Sequence, residues 1–149
     1  MGFHKIMCPV DFSPSSRQAL EAAATLARES NASLVLAHVW EPSQFAISAD
    51  FGLSPQVVHA LFDTQEAELA KWKTMARQLG VQEIATCMLT GAPWDQIVLA
   101  ARGDPAIDLI VMGTHGRTGL KHALLGSVAE KVVRHAPCPV LVARPREVV

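Results

Sequence analysis

Glycines crowd the segment from Gly113 to Ser127, which directly follows an apolar run. Gly113, Gly116 and Gly126 can leave backbone N–H groups exposed there, and residues with helical spacing come next. The N-terminus of a helix carries partial positive charge and N–H groups that have no partner within the helix. Proteins hold phosphate groups in this way, so the segment predicts an anion site.

The candidate phosphate ligands form two groups, one at the end of the apolar run and one at the start of the last helix. They are Met112, Gly113, Thr114, His115, Gly116, Arg117, Thr118 and Gly119 in the first group, and Gly126, Ser127, Val128 and Ala129 in the second. Arg117 and Lys121 bring positive charge to the same loop, and His115 and His122 add more when they are protonated.

Two further segments are expected at the same edge of the fold. The turn after the first strand contains Pro9, Val10, Asp11 and Ser13, and the second strand ends near Val39. The main-chain N–H and C=O of Val39 can hydrogen-bond to the edge of a base such as adenine. Asp11 can accept hydrogen bonds from a ribose or the base, or approach a magnesium ion through water.

Each of these features also has an ordinary structural explanation. Glycines between a strand and a helix often only form a turn, and Asp11 can serve only to cap the following helix. His38 can be a hydrogen-bonded histidine at a strand end, and His115 and His122 can be surface residues. The convergence of the features on one edge favours a binding site.

Several catalytic motifs are absent from the sequence. There is no Gly-x-x-x-x-Gly-Lys-Ser/Thr loop, no Gly-x-Gly-x-x-Gly after the first strand and no Gly-x-Ser-x-Gly elbow. The six histidines show no metal-ligand spacing. Catalysis is therefore not indicated by the sequence.

Composition restricts the class of protein further. The chain has 149 residues, of which 50% are hydrophobic and 18% charged, which suits one globular domain over residues 1–149. A net charge of −1 with no adjacent basic residues gives no reason to expect nucleic acid or an anionic membrane as partner. Cys8, Cys87 and Cys138 are expected to be buried thiols in a reducing cytoplasm.

The order of elements is predicted from apolar runs and helical periodicity. The expected strands are Lys5–Val10, Ser33–Trp40, Ile84–Leu89, Ile107–Met112 and Pro139–Ala143. The expected helices run from Ser13-Pro14 to about Ser30, over Pro55–Leu79, from Pro93 to about Arg102, and from about Leu124 to His135.

Strict alternation of strands and helices predicts a Rossmann-like α/β fold, a five-stranded parallel, doubly wound sheet with helices on both faces. With strand one between strands two and four, the strand order is 3-2-1-4-5 and a crevice opens where the winding reverses. The long irregular segment Glu41–Ser54 follows strand two, and its role stays open.

The chain resembles the universal stress protein (UspA) family over its whole length. The resemblance is carried by KIMCPVDFS at 5–13, AHV at 37–39, IVMGTHG at 110–116, LGSVAEKV at 125–132 and PCPVLVAR at 137–144. The ATP-binding kind of this family has the motif Gly-x2-Gly-x9-Gly-Ser/Thr. Gly113, Gly116, Gly126 and Ser127 match it in full.

The resemblance implies an adenine nucleotide alpha hydrolase-like fold and ATP or another adenine nucleotide as ligand, with Mg²⁺ or Mn²⁺. Pro9, Asp11 and Val39 would then line the adenosine end. A cytoplasmic homodimer paired through strand 140–143 is also implied, which would cover an exposed sheet edge. Two alternatives to a nucleotide-binding module are a slow ATPase or phosphotransferase and a nucleotide-free dimeric adaptor.

Overall fold

The computed structural model describes residues 2–41, 54–114 and 125–144. Five strands and four helices alternate along this part of the chain. They are β1 (Lys5–Pro9), α1 (Pro14–Ser30), β2 (Ser33–Trp40), α2 (Pro55–Gln78), β3 (Ile84–Thr90), α3 (Pro93–Gly103), β4 (Leu109–Gly113), α4 (Ser127–His135) and β5 (Val140–Ala143).

The strands form one parallel sheet in the order β3-β2-β1-β4-β5, as predicted. Strand β1 lies at the centre, where Ile6 is paired with Leu34 of β2 and with Leu109 of β4. Strands β3 and β5 form the two edges. The doubly wound α/β fold is confirmed.

Each face of the sheet is covered by two helices. Helices α1 and α2 bury Ala23 and Trp72 against one face, together with Ile6 and Leu36 of the sheet. Helices α3 and α4 bury Val98 and Val132 against the other face. Apolar side chains on both faces explain why the strands have nearly continuous apolar sequences. No helix in the described ranges combines the length and apolar character needed to cross a membrane.

Two predicted boundaries are wrong by at least two residues, and several others differ by one. The fourth strand begins at Leu109 rather than Ile107, because the N–H of Ile107 donates to the carbonyl of Asp104 in a turn. Helix α4 begins at Ser127 rather than about Leu124, because Gly126 is its N-cap, with extended φ and ψ of −69° and 165°.

The prediction that the three thiols are buried is confirmed for Cys8 and is wrong for the other two cysteines. Cys8 is fully buried in β1, and burial raises the pKa of its thiol to about 12. Cys87 and Cys138 are only half-buried, and all three cysteines are free thiols. Strand β3, which carries Cys87, lies at a sheet edge with fewer neighbours to cover it.

Candidate functional site

A crevice is expected at the carboxyl edge between β1 and β4. The chain leaves β1 for α1 on one face of the sheet, and it leaves β4 for α4 on the other face. Open α/β sheets bind ligands at such a reversal of winding. The segments that follow β1, β2 and β4 lie at this edge of the sheet.

The turn between β1 and α1 is organised around the carboxylate of Asp11. Its Oδ1 accepts hydrogen bonds from the N–H of Ser13 at 3.0 Å and from the hydroxyl of Ser16 at 2.7 Å. Ser13 is the N-cap of α1, and its Oγ accepts from the N–H of Ser16 at 3.2 Å. Asp11 thus supports the cap of α1 from a half-buried position at the crevice.

Aromatic side chains pack beneath this turn. Phe12 stacks on the imidazole of His38, with ring centroids 4.3 Å apart, and contacts Trp72 of α2 at 5.6 Å. Phe12 has φ of +67°, a left-handed conformation that is rare for residues other than glycine. The Nδ1 of His38 lies 2.8 Å from the carbonyl oxygen of Val10. His38 is therefore hydrogen-bonded within the protein, which agrees with its ordinary structural explanation.

The main chain of Val39 faces the space beyond the end of β1. The N–H of Val10 donates to the carbonyl of Ala37 at 2.8 Å, and the N–H of Gly91 donates to the carbonyl of Trp40 at 2.9 Å. The main-chain carbonyl of Ala37 therefore points toward β1, and that of Trp40 points toward β3. Main-chain groups alternate sides along a strand, so the N–H and C=O of Val39 point the same way as those of Ala37.

Gly113 brings the end of β4 against the first turn of α1. A Cβ atom at this position would lie 2.3 Å from Ser15 Oγ and 2.8 Å from the main-chain carbon and oxygen of Ser15. No side chain fits at that distance without a shift of the backbone. Gly113 therefore joins the turn after β1 to the segment after β4, which places the two predicted halves of the site side by side.

Thr114 connects the end of β4 with the start of α4. Its carbonyl accepts from the N–H of Gly126 at 2.6 Å, so residues 114 and 126 are held together. The Thr114 side chain is 2% exposed, and its hydroxyl has no hydrogen-bond partner among the residues that the structure describes. A buried hydroxyl without a partner is unfavourable, which makes this position a candidate for a ligand contact.

The N-terminus of α4 has no capping side chain. Its N-cap is Gly126, and the first helical hydrogen bond runs from the N–H of Glu130 to the carbonyl of Gly126 at 3.0 Å. The amides of Ser127, Val128 and Ala129 precede that bond and so have no acceptor within the helix. Glu130 is itself paired with Arg134 at 2.7 Å, which offsets its negative charge near the first turn.

The other predicted site residues fall into two groups. Met112, Pro9 and Val10 are buried, and both main-chain groups of Val10 are hydrogen-bonded within the protein, so its contribution to binding is limited. Of the irregular segment Glu41–Ser54, residues 42–53 lie outside the described residues. So do five predicted phosphate ligands and two nearby cations: His115, Gly116, Arg117, Thr118, Gly119, Lys121 and His122.

Sequence reasoning missed the part played by Phe12 and the serines of α1. The notable features are the left-handed φ of Phe12 and the hydroxyl of Ser16, which both accepts from the N–H of Asp11 at 3.0 Å and donates to its carboxylate. The Asp-x-Ser-Pro sequence predicts the N-cap of α1. It does not predict a positive φ at Phe12.

A metal site made by side chains alone is not found. In the described ranges, no three His, Cys, Asp or Glu residues lie close enough together to hold an ion. Magnesium in nucleotide sites usually takes most of its oxygens from phosphate and water, with one or two carboxylates. Asp11 at the crevice fits that limited role.

The described residues form a doubly wound α/β fold in which the N-terminus of α4 follows β4 and has no capping side chain. Residues 2–144 match the model of the Universal stress protein family. The chain is also 41% identical to Universal stress protein MJ0531 of Methanocaldococcus jannaschii, over 95% of this chain and 82% of that protein. The chain therefore belongs to the universal stress protein family.

Solved structures share the fold over nearly the whole chain. The hypothetical protein MJ0577 superposes with a TM-score of 0.84 at 27% identity, covering 99% of this chain and 100% of that one. A universal stress protein in complex with cAMP superposes with a TM-score of 0.72 at 26% identity, covering 98% and 100%.

Proposed function

We propose that this protein binds an adenine nucleotide in the crevice between β1 and β4, with ATP and Mg²⁺ or Mn²⁺ as the physiological ligand. The observation that carries the proposal is that the end of β4 contacts two neighbours: Gly113 lies against Ser15 in the first turn of α1, and the carbonyl of Thr114 accepts from the N–H of Gly126 at the uncapped N-terminus of α4. One elongated ligand with a polar nucleoside at one end and phosphates at the other matches this arrangement.

The nucleoside end is assigned to Asp11 and Val39. The carboxylate of Asp11 is an acceptor suited to ribose hydroxyls, and the main chain of Val39 offers one donor and one acceptor to a base edge. Adenine and guanine invert the donor and acceptor pattern at that edge. The proposal therefore includes a preference for adenine over guanine.

The phosphate end is assigned to the first turn of α4 and to Thr114. The amides of Ser127, Val128 and Ala129 point out of the helix N-terminus, where the helix dipole favours negative charge. Gly113 to Gly119 complete this end in the proposal, with Arg117 supplying charge. A relative of 26% identity solved with cAMP supports an adenine ligand for the family member described here.

The proposed role is that of a nucleotide-dependent regulator rather than an enzyme. We expect a cytoplasmic homodimer paired through β5, whose conformation or partners change with nucleotide occupancy during stress. Phosphoryl transfer needs a group that orients the attacking nucleophile, and the sequence suggests none. Turnover, if measured, is expected to be slow.

The test is a competition between nucleotides. Protein freed of any bound nucleotide is titrated with Mg-ATP by calorimetry, and GTP is then used as competitor. Saturable binding of ATP with clearly weaker GTP supports the proposal, and the Gly126→Glu variant should abolish it by placing a carboxylate at the anion site. Equal affinities for ATP and GTP contradict the adenine assignment. No heat with either, and no nucleotide released on acid extraction, contradicts nucleotide binding altogether.

A further inference from the structure

We propose that His38 is a positioning residue that sets the turn between β1 and α1, and through it the carboxylate of Asp11. The effect of His38 on ligand binding rests on the proposed nucleotide site. Its effect on the turn rests only on the geometry of residues 10–16 and 38.

The first step is the hydrogen bond between His38 and Val10. The Nδ1 atom of His38 lies 2.8 Å from the carbonyl oxygen of Val10. A carbonyl oxygen only accepts, so Nδ1 must carry the hydrogen. His38 is 7% exposed and Val10 3%, so water competes poorly for this bond. The bond holds the chain at the residue just before Asp11.

The second step is the stacking of Phe12 on the same imidazole. The two rings are nearly parallel, with an interplanar angle of 26° and centroids 4.3 Å apart. The Phe12 ring also contacts Trp72, which is 5% exposed. Packing against these rings keeps Phe12 at φ of +67°, a conformation that a phenylalanine does not retain without support.

The third step links this conformation to Asp11. The positive φ at Phe12 turns the chain so that the N–H of Ser13 reaches Oδ1 of Asp11 at 3.0 Å. His38 therefore holds the residues on both sides of Asp11, one by a hydrogen bond and one by stacking. Because His38 directly precedes Val39, the same side chain also ties the turn to the strand end that faces the nucleoside.

The experiment compares two amide variants of nearly equal polarity. In His38→Asn the side-chain NH₂ falls near the position of Nδ1 and can donate to Val10. In His38→Gln the NH₂ falls near Nε2 and misses that carbonyl. Amide hydrogen exchange at Ser13 is measured by NMR in the ligand-free protein, beside exchange in the core of β2 as a check on global stability.

We expect exchange at Ser13 to accelerate in both variants, because both lose the ring on which Phe12 stacks. Exchange should be about tenfold faster in His38→Gln than in His38→Asn, because only His38→Gln also loses the buried hydrogen bond to Val10. Global stability should fall similarly in both, since both lose the imidazole ring. Equal exchange at Ser13 in the two variants, or none faster than wild type, overturns the proposal.

The nucleotide arm uses a double-mutant cycle with Asp11. His38→Gln should weaken ATP binding several-fold in the wild-type background and have little further effect in an Asp11→Ala background. An equal loss in both backgrounds means that His38 does not act through Asp11 and overturns the inference. Wild-type protein that binds no nucleotide refutes the proposed function, while exchange at Ser13 still decides the role of His38.

Discussion

The hydroxyl of Thr114 offers a test at the scale of a single residue. It is buried beside the N-cap of α4 and lacks a partner in the described part of the chain. Thr114→Val removes this group with little change in volume. We expect the ligand-free protein to be stabilised by about 1 kcal/mol in urea unfolding, because an unsatisfied buried hydroxyl is lost.

The same substitution should weaken ATP binding, so stability and affinity change in opposite directions. Thr114→Ser is the matched control, since it retains the hydroxyl and should keep the affinity. A Thr114→Val protein that is less stable than wild type and binds ATP normally would show that the hydroxyl is satisfied within the protein.

Residue types and spacing were sufficient to predict that Asp11, Ser13 and Val39 lie at the carboxyl edge of the sheet. They could not predict the role of His38, because its partner Val10 lies 28 residues away and the bond depends on the pairing of β1 with β2. The conformation of Phe12 has the same origin, since the rings that hold it come from β2 and α2.

At the scale of elements, the docking of α1 on β4 depends on Gly113. Gly113→Ala places a Cβ against the backbone of Ser15, and overpacking of this kind is expected to reduce the free energy of unfolding by about 1–3 kcal/mol. Gly103→Ala is the control, because nothing lies within 4 Å of the added Cβ. Alanine at that helical position should stabilise by about 0.4–1 kcal/mol. Equal effects of the two substitutions in thermal or urea unfolding would contradict the close contact.

The amino edge of the sheet is held by Asp108, which connects β4 to β1. Its carboxylate accepts from the main-chain N–H of His4 at 2.9 Å, from that of Lys5 at 3.2 Å and from the imidazole of His4 at 2.9 Å. Partial burial raises the pKa of Asp108, but the hydrogen bonds from the His4 side chain and the two main-chain amides lower it by more, so the pKa lies below its ordinary value.

A carboxylate whose pKa is depressed on folding stabilises the protein above its unfolded pKa and loses that contribution as the pH falls through the folded value. We therefore expect stability attributable to Asp108 to be constant at neutral pH and to decline below about pH 4. Asp108→Asn should lower stability at pH 7 and flatten the acid limb of a stability-against-pH profile. An unchanged acid limb would contradict the assignment.

Element boundaries were predictable where a local signal marks them and not where a long-range contact does. The helices α1 and α2 begin at Ser-Pro pairs, in which the serine is the N-cap and the proline is the first helical residue. The sequence predicts this cap for α1, and Ser54 caps α2 in the same way. The start of α4 predicted from the sequence is too early, because the apolar spacing of the helix continues back to Leu125. The hydrogen bond from the N–H of Gly126 to the carbonyl of Thr114 fixes the start of the helix at Ser127 instead.

At the scale of the whole molecule, the proposed dimer depends on the free edge of β5. Leu141 is 38% exposed on this strand, and β4 is the neighbour of β5 among the strands that the structure describes. Leu141→Lys should shift the protein from dimer to monomer in sedimentation equilibrium, since a charge blocks strand pairing at an edge. Leu99→Lys on α3, where the leucine is 49% exposed, should leave the dimer intact. Wild-type protein that sediments as a monomer would refute the dimer.

The most direct test of the account is an NMR titration of ¹⁵N-labelled protein with Mg-ATP. A nucleotide lying across the crevice predicts large shifts for the amide of Val39 at one end and for those of Ser127 and Val128 at the other, at a single saturating stoichiometry. Asp108 and its neighbours at the opposite edge of the sheet should not move. Shifts confined to that opposite edge, or a spectrum unchanged by ATP, would contradict the central claim.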